Sequence, residues 1–572
     1  MRRLGVLRRL AALAGAVAMV AAAIQFQARA DEGAPVPGTP RATCGPGSRP
    51  EPGMQGRVSA DDVASGRAAE GFTCNAEQIG HYGNTGGFRV HRYVDAAGRE
   101  CAYYDPTLLF PTALPRSGTD LTGIYVLDMT DPARPVKTAN LLSLAAQSPH
   151  ESFSLNVPRG LLAVDLGNPF AGPGFVDVYD ISTDCRSPVL KSSLPVGFLG
   201  HEGAFSPDGN TYWVSSAGGG TLTAVDLTDP ARPTPVWSSL DYRIHGLNIS
   251  DDGNRLYGAA LGSGGPNDGL TTLDVTQVQQ RVPDPQVPLV SHLSWPNISI
   301  PQVPIPVTIG GRPYIVEMDE FAGGPIPSTD PTANVGAARI IDMADERAPR
   351  VISEIRLEVN QRENRAQLTS DPGTSSPVGG YAGHYCAVPQ RTEPGIVACS
   401  FILSGLRVFD IRDPYNPKEL AYFNAPPTQG TSNFEPSSFA MSAPAFVPER
   451  SEVWYSDGNS GFYAVRLTNG VWPFRPEPAS AAPEVLGQVD RRDPAAPALA
   501  SDSARLPSTG GPGSWPLVGL GLGLAGVVAR RIRRLEQTGA GVWKPQGDRP
   551  PPRGRPAHAV VLALGRWLGG SG

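Results

Sequence analysis

The chain predicts an all-β fold: a seven-bladed β-propeller closed by an N-terminal strand and flanked by disordered segments. Three observations predict it. A strand phrase ending in aspartate recurs along the middle of the chain, and a second hairpin phrase precedes the clearest copies. The composition, with 66 Gly and 59 Pro in 572 residues, supplies turns for many short strands.

The recurring phrase reads IYVLDMTDPARPV, VDVYDISTDCRSPV, LTAVDLTDPARPTPV, LTTLDVTQVQQ, ARIIDMADERAPRV and LRVFDIRDPYNPKEL. Apolar alternation buries one face of each strand, and the Asp and Pro that follow set a turn by an Asx bond and a fixed φ. The markers Asp128, Asp180, Asp226, Asp274, Asp342 and Asp410 lie 52, 46, 48, 68 and 68 residues apart. A degraded seventh copy, GFYAVRLTNGVW, puts Arg466 in the marker position, 56 residues after Asp410. Upstream, HEGAFSPDGNTYWVSSA, IHGLNISDDGNRLYGAAL and MSAPAFVPERSEVWYSDG each add two strands around a turn. Four short strands per unit at this period predict propeller blades, since solenoid repeats are shorter and more uniform. The segment NAEQIGHYGN, Asn75 to Asn84, reads as an outer strand with no marker before it. It is expected to complete the seventh blade and so remove an exposed edge.

The ends carry an address. Residues 1–30 combine a basic start, an apolar run and ARA, the pattern of a secretory signal peptide. Residues 31–71 read as a flexible leader, 72–475 as the propeller and 476–505 as a Pro/Ala-rich spacer. Six cysteines in an exported chain are expected to form disulfides. Cys386 with Cys399 across a hairpin is the first expected pair, and Cys74 with Cys101 the second. A net charge of −6 gives no broad basic surface, which excludes nucleic acid as a partner.

The phrases YVLDMTDPARPV, AVDLTDPARP and VFDIRDPYNP resemble the LVIVD repeats of bacterial surface propellers, over roughly residues 72–470. Near the C-terminus, LPSTGG (Leu506, Pro507, Ser508, Thr509, Gly510, Gly511), an apolar stretch and RRIRR occupy 506–534. That order resembles an LPxTG cell-wall sorting signal. The resemblance implies cleavage by a sortase between Thr509 and Gly510 and attachment to peptidoglycan. The same stretch also fits a C-terminal membrane helix with its arginines inside. Residues 535–572 read as a disordered tail.

Alignment on the SPDG-type turn brings His150, His201, His245 and His384 to equivalent starts of inner strands, with Gln302 in the fifth blade and Ala443 or Ser442 in the seventh. His91 is the first-blade counterpart. Glu151 and Glu202 follow two of the histidines, and Glu317, Asp319 and Glu320 lie one strand further out. In one reading each histidine bonds the backbone of a neighbouring blade and locks the ring. In the other, His150, Glu151, His201, Glu202, His245 and His384 hold a divalent metal at the channel mouth. Imidazole with carboxylate suits Zn, Cu, Mn or Fe, and carboxylate alone suits Ca²⁺. His91, Gln302, Glu317, Asp319 and Glu320 are expected to line the channel. No G-x-S-x-G, H-E-x-x-H or zinc-finger spacing occurs. The functions expected are a surface binding module for a protein or glycan ligand, a metal-dependent hydrolase or oxidase, or a purely structural wall component.

Overall fold

A computed structural model describes residues 37–474 apart from 107–121, 168–173, 218, 263–267, 324–326, 376–378 and 430–434. The signal peptide, the spacer, the sorting motif and the C-terminal tail lie outside the described residues. No helix among the described residues is long and apolar enough to cross a membrane.

Seven antiparallel sheets form the seven blades. The third blade is representative, running outward from Glu202–Phe205 through Thr211–Ser216 and Thr221–Asp226 to Thr234–Ser239. Its inner turn is fixed by Asp208, whose carboxylate accepts from the Asn210 amide at 3.0 Å and the Ser206 hydroxyl at 2.6 Å. Gly209 completes that turn at φ +69°, a conformation that favours glycine. Each marker aspartate ends a third strand and accepts from the amide two residues on. The bonds to Thr130, Ser182, Thr228, Thr276, Ala344 and Arg412 are 2.8–3.0 Å long. Arg466 replaces the Asx bond with an ion pair to Glu452 at 3.0 Å.

The ring closes as the alternation implies. Ala76–Tyr82 pairs antiparallel with Gly461–Leu467 as the outer strand of the seventh blade. On the inner side, the Ala443 amide donates to Phe88 O at 2.7 Å and the Val90 amide to Ala443 O at 3.0 Å. Main-chain bonds therefore join the first and seventh blades at the channel. Between blades, apolar wedges such as Trp454 with Phe462, Tyr104 and Val90 leave water no access.

Two expectations need correction. Residues 37–71 are folded, not a flexible leader. Ser59 and Asp62 form a capping box on the short helix α1 (Ala60–Ala64), and Arg57 pairs with Asp371 at 2.7 Å. Glu51 pairs with the buried Arg407, and Phe72–Cys74 adds a fifth strand to the sixth blade. Ion pairs, backbone bonds and a small apolar cluster of Val58, Ala68, Phe72 and Tyr422 hold the segment. The cysteines pair as Cys44–Cys74, Cys101–Cys185 and Cys386–Cys399. Cys74 is therefore not bonded to Cys101: it lies on the fifth strand of the sixth blade, and Cys101 on the second strand of the first. Disulfides of this kind persist in an oxidising compartment, which places the folded protein outside the cytoplasm.

Candidate functional site

The inner strands carry bulges that re-aim single residues. The register shifts between Ile244 and Leu247, between Pro301 and Val303, and between Gly383 and Tyr385. His245, Gln302 and His384 sit at these shifts, and a bulge is a recurrent way to turn a side chain out of the pleat. His201 directly precedes its inner strand. Gly246 is required beside them, because a Cβ there would lie 2.0 Å from Gln302 O and 2.9 Å from Glu202 Oε2.

His150 and Glu151 reach the centre differently. Both adopt left-handed backbone conformations, φ +33° and +76°, which are costly for residues with side chains. Glu151 thereby becomes the hub. Its Oε2 lies 3.2 Å from His201 Nε2 and 3.6 Å from His245 Nε2, and its Oε1 lies 3.3 Å from His384 Nε2. Glu320, from the second strand of the fifth blade, approaches His384 Nε2 at 2.9 Å and His245 Nε2 at 3.7 Å. The second, third, fourth, fifth and sixth blades thus contribute side chains to one buried cluster. His384 is fully buried, and Glu151, His201, His245 and Glu320 are 2–5% exposed.

The far nitrogen of each central imidazole is anchored to backbone. His201 Nδ1 lies 3.0 Å from Gly167 O, His245 Nδ1 2.8 Å from Pro301 O, and His384 Nδ1 2.7 Å from Met441 O. The two sequence readings of these histidines are therefore compatible in one ring. Nδ1 ties it to backbone while Nε2 faces the carboxylates.

Glu202 flanks the cluster without entering it freely. Tyr385 donates to its Oε1 at 2.5 Å, and Arg89 Nη2 to its Oε2 at 2.5 Å. Arg89 also donates to the Glu151 carbonyl and stacks over Tyr385 at 5.1 Å. No repeat marks Arg89 or Tyr385, so the sequence pattern does not point to either. Adjacency to Val90 and to His384 was the available signal.

Electrostatics favour added positive charge. Three carboxylates, Glu151, Glu202 and Glu320, meet in the cluster, and the one guanidinium beside them, Arg89, is paired to Glu202. Burial alone would lower His384 and His245, yet Glu151 and Glu320 outweigh it and raise them to about 10 and about 9. Burial dominates at His150 and pushes it down to about 3. Glu151 is held well below the usual carboxylate range, since its contacts with the three imidazoles outweigh burial.

Other expected channel residues lie elsewhere. Glu317 and Asp319 point away from the channel, to Arg339 on the neighbouring strand, because residues 317 and 319 share the strand face opposite Glu320. Gln302 keeps its place in the fifth blade, fully buried, with neither amide atom hydrogen-bonded. His91 stands outside the cluster, its Nε2 3.0 Å from Phe153 O in the next blade. Burial and the nearby Arg89 lower His91 to about 4. A histidine lowered in the fold leaves stability complete above its unfolded value near 6.5 and removes it as pH falls towards 4. His91→Gln keeps a donor for Phe153 and should lose less melting temperature between pH 6.5 and 4 than the parent. Equal losses in thermal scans of the two proteins would remove His91 from that acid response.

Fold and cluster together define a class: a disulfide-bonded seven-bladed β-propeller with a buried histidine–carboxylate centre. No protein-family model and no curated protein matches the chain, so the propeller fold is shown and membership of the LVIVD repeat family is not. Similar solved structures include hydrazine synthase of Kuenenia stuttgartiensis, 13% identical with a TM-score of 0.41, covering 68% of this chain and 97% of that one. Another is a periplasmic gluconolactonase of Pseudomonas aeruginosa, 14% identical with a TM-score of 0.37, covering 60% and 92%. A functionally unknown protein of Desulfotomaculum acetoxidans is 12% identical with a TM-score of 0.39, covering 58% and 84%. With TM-scores below 0.5, these likenesses assign neither an activity nor a family to the chain.

Proposed function

We propose that the protein is an exported metalloprotein whose histidine–carboxylate centre binds a divalent transition metal and supports hydrolytic or oxidative chemistry. One observation carries this reading. His201, His245 and His384 each anchor Nδ1 on a backbone carbonyl while Nε2 converges on Glu151. That is the outer-shell arrangement that fixes the tautomer and direction of metal-binding imidazoles. Donor contacts of 2.9–3.7 Å match neighbouring ligands on an ion bonded at about 2.0–2.2 Å. Neutral imidazoles with carboxylates suit Zn, Mn, Fe or Cu(II), while a donor set without thiolate or thioether disfavours Cu(I). The all-oxygen set that Ca²⁺ requires is absent from this cluster.

The test is elemental analysis of the purified propeller. Stoichiometric transition metal is expected, and it should be lost in the His201→Ala/His384→Ala double variant, which removes two of the ligands. A parent protein that binds no such metal after reconstitution, at unchanged stability, would falsify the reading.

A surface-display role is a second reading, favoured by the LVIVD-like repeats and by the LPSTGG motif with its apolar and basic flanks. In it a sortase or a membrane helix tethers the propeller, whose outer face meets a protein or glycan ligand. Release of the protein from cells by peptidoglycan digestion alone supports the sortase route; retention in the membrane fraction refutes it.

A further inference from the structure

We infer that the centre is dinuclear, two divalent transition-metal ions sharing Glu151 and Glu320 as bridging carboxylates; this rests on the metal reading above. The donor atoms gather as three triads, His150–Glu151–His201, Glu151–Glu202–His245 and Glu151–Glu320–His384. Within each triad the atoms lie within 4.8 Å of one another, and Glu151 belongs to all three.

The two oxygens of Glu151 serve different histidines. Oε1 faces His384 at 3.3 Å, whereas Oε2 faces His201 at 3.2 Å and His245 at 3.6 Å. Glu320 divides in the same way, with Oε2 2.9 Å from His384 and Oε1 3.7 Å from His245. Two positions follow. One is bounded by His384 Nε2, Glu151 Oε1 and Glu320 Oε2. The other is bounded by His201 Nε2, His245 Nε2, Glu151 Oε2 and Glu320 Oε1. A single ion would gather one oxygen of each carboxylate to one point, whereas two ions engage all four oxygens. In two-metal sites the ions stand about 3.5–4 Å apart, a span that one carboxylate bridges with an oxygen on each.

A second observation is independent of the spacing. Glu151 Oε2, Glu320 Oε2 and His384 Nε2 are buried and make no hydrogen bond, although the last two are 2.9 Å apart. Their contact has the distance of a hydrogen bond without its direction, as lone pairs turned towards a shared cation would have. Both oxygens of Glu202 are already committed to Tyr385 and Arg89, so Glu202 orients the cluster's edge and is not counted as a ligand.

The experiment uses the purified protein stripped with chelator and titrated with Mn(II), with bound ions counted by equilibrium dialysis and their coupling followed by electron paramagnetic resonance. Two ions per chain are expected, with an exchange-coupled spectrum appearing at the second equivalent. His384→Ala should bind one ion and show no coupling. If that variant does not fold by circular dichroism, Glu320→Gln keeps the shape of the side chain and should abolish the coupling. One ion per chain, or two without coupling, overturns the dinuclear centre and leaves the metal reading standing. No bound ion, with Mn(II) and again with Zn(II), overturns both.

Discussion

Arg339→Leu is expected to lower the stability of the propeller by about 3–5 kcal/mol, the cost of stranding buried charge when one partner of an ion pair is removed. Arg339 is fully buried in the fifth blade. Its guanidinium donates to Glu317 and, at 2.9 Å, to Asp319, and it stacks on Trp295 at 4.1 Å. Asp319 also accepts from Trp295 Nε1 at 3.0 Å and from the Ser299 amide at 3.1 Å. Leucine would fill much of the volume but leave two carboxylates facing each other in an apolar wedge. Burial followed by the charge of Asp319 already pushes Glu317 well above the usual range. In the variant Glu317, having lost its guanidinium partner, would be raised further. A carboxyl raised in the fold keeps its stability at low pH and loses it as pH rises. The deficit should therefore shrink when urea unfolding is repeated near pH 5. Arg339→Lys should recover only part, because one ammonium cannot serve two carboxylates in the fork geometry. A midpoint within error of the parent for Arg339→Leu would show that the triad carries no such load.

The repeat made the architecture legible, and the physics of the repeat explains where legibility stops. Marker aspartates could be read because each performs the same local task, the Asx bond that opens an outer hairpin. Ring closure could be read because residues 76–82 alternate like an outer strand yet follow no marker. His201, His245 and His384 could be aligned because they precede similar turns. What their side chains meet could not be aligned, since it depends on neighbouring blades. Glu320 belongs to the cluster and Glu317 and Asp319 do not, a distinction set by which strand face meets the sixth blade. Glu151 owes its central place to two left-handed residues in succession, which no propensity foretells. Residues 37–71 are ordered by contacts of the same non-local kind. Their order comes from Arg57, Glu51 and Cys44 reaching partners 30 to 356 residues away, and no local pattern records such contacts.

Stripping the metal is expected to make stability strongly pH-dependent in the alkaline direction, and reloading it should abolish that dependence. In the metal-free protein the excess negative charge of Glu151 and Glu320 is met by protons on His245 and His384, raised to about 9 and about 10. For a histidine raised in the fold, the contribution is complete below the unfolded value near 6.5. It is lost as pH rises through the folded value. The window therefore runs from about pH 6.5 to about pH 10. At 1.36 kcal/mol per pKa unit, and with both imidazoles sharing Glu151, the loss across that window is on the order of 3–5 kcal/mol. A bound cation replaces those protons and does not leave as pH rises within this range, since ligand deprotonation favours metal binding. It also binds the native state selectively, adding about 4 kcal/mol at a free concentration 1,000 times its dissociation constant. Thermal melts of the stripped protein at pH 6.5 and pH 9.5 should thus differ by many degrees, and those of the reloaded protein by few. Substituting Glu151→Gln removes the charge that the protons answer, so the stripped variant should show a flatter alkaline slope even though it binds metal poorly. Identical slopes for stripped parent, reloaded parent and Glu151→Gln would mean that the cluster's charges are balanced by some other group, and the metal reading would lose its electrostatic basis.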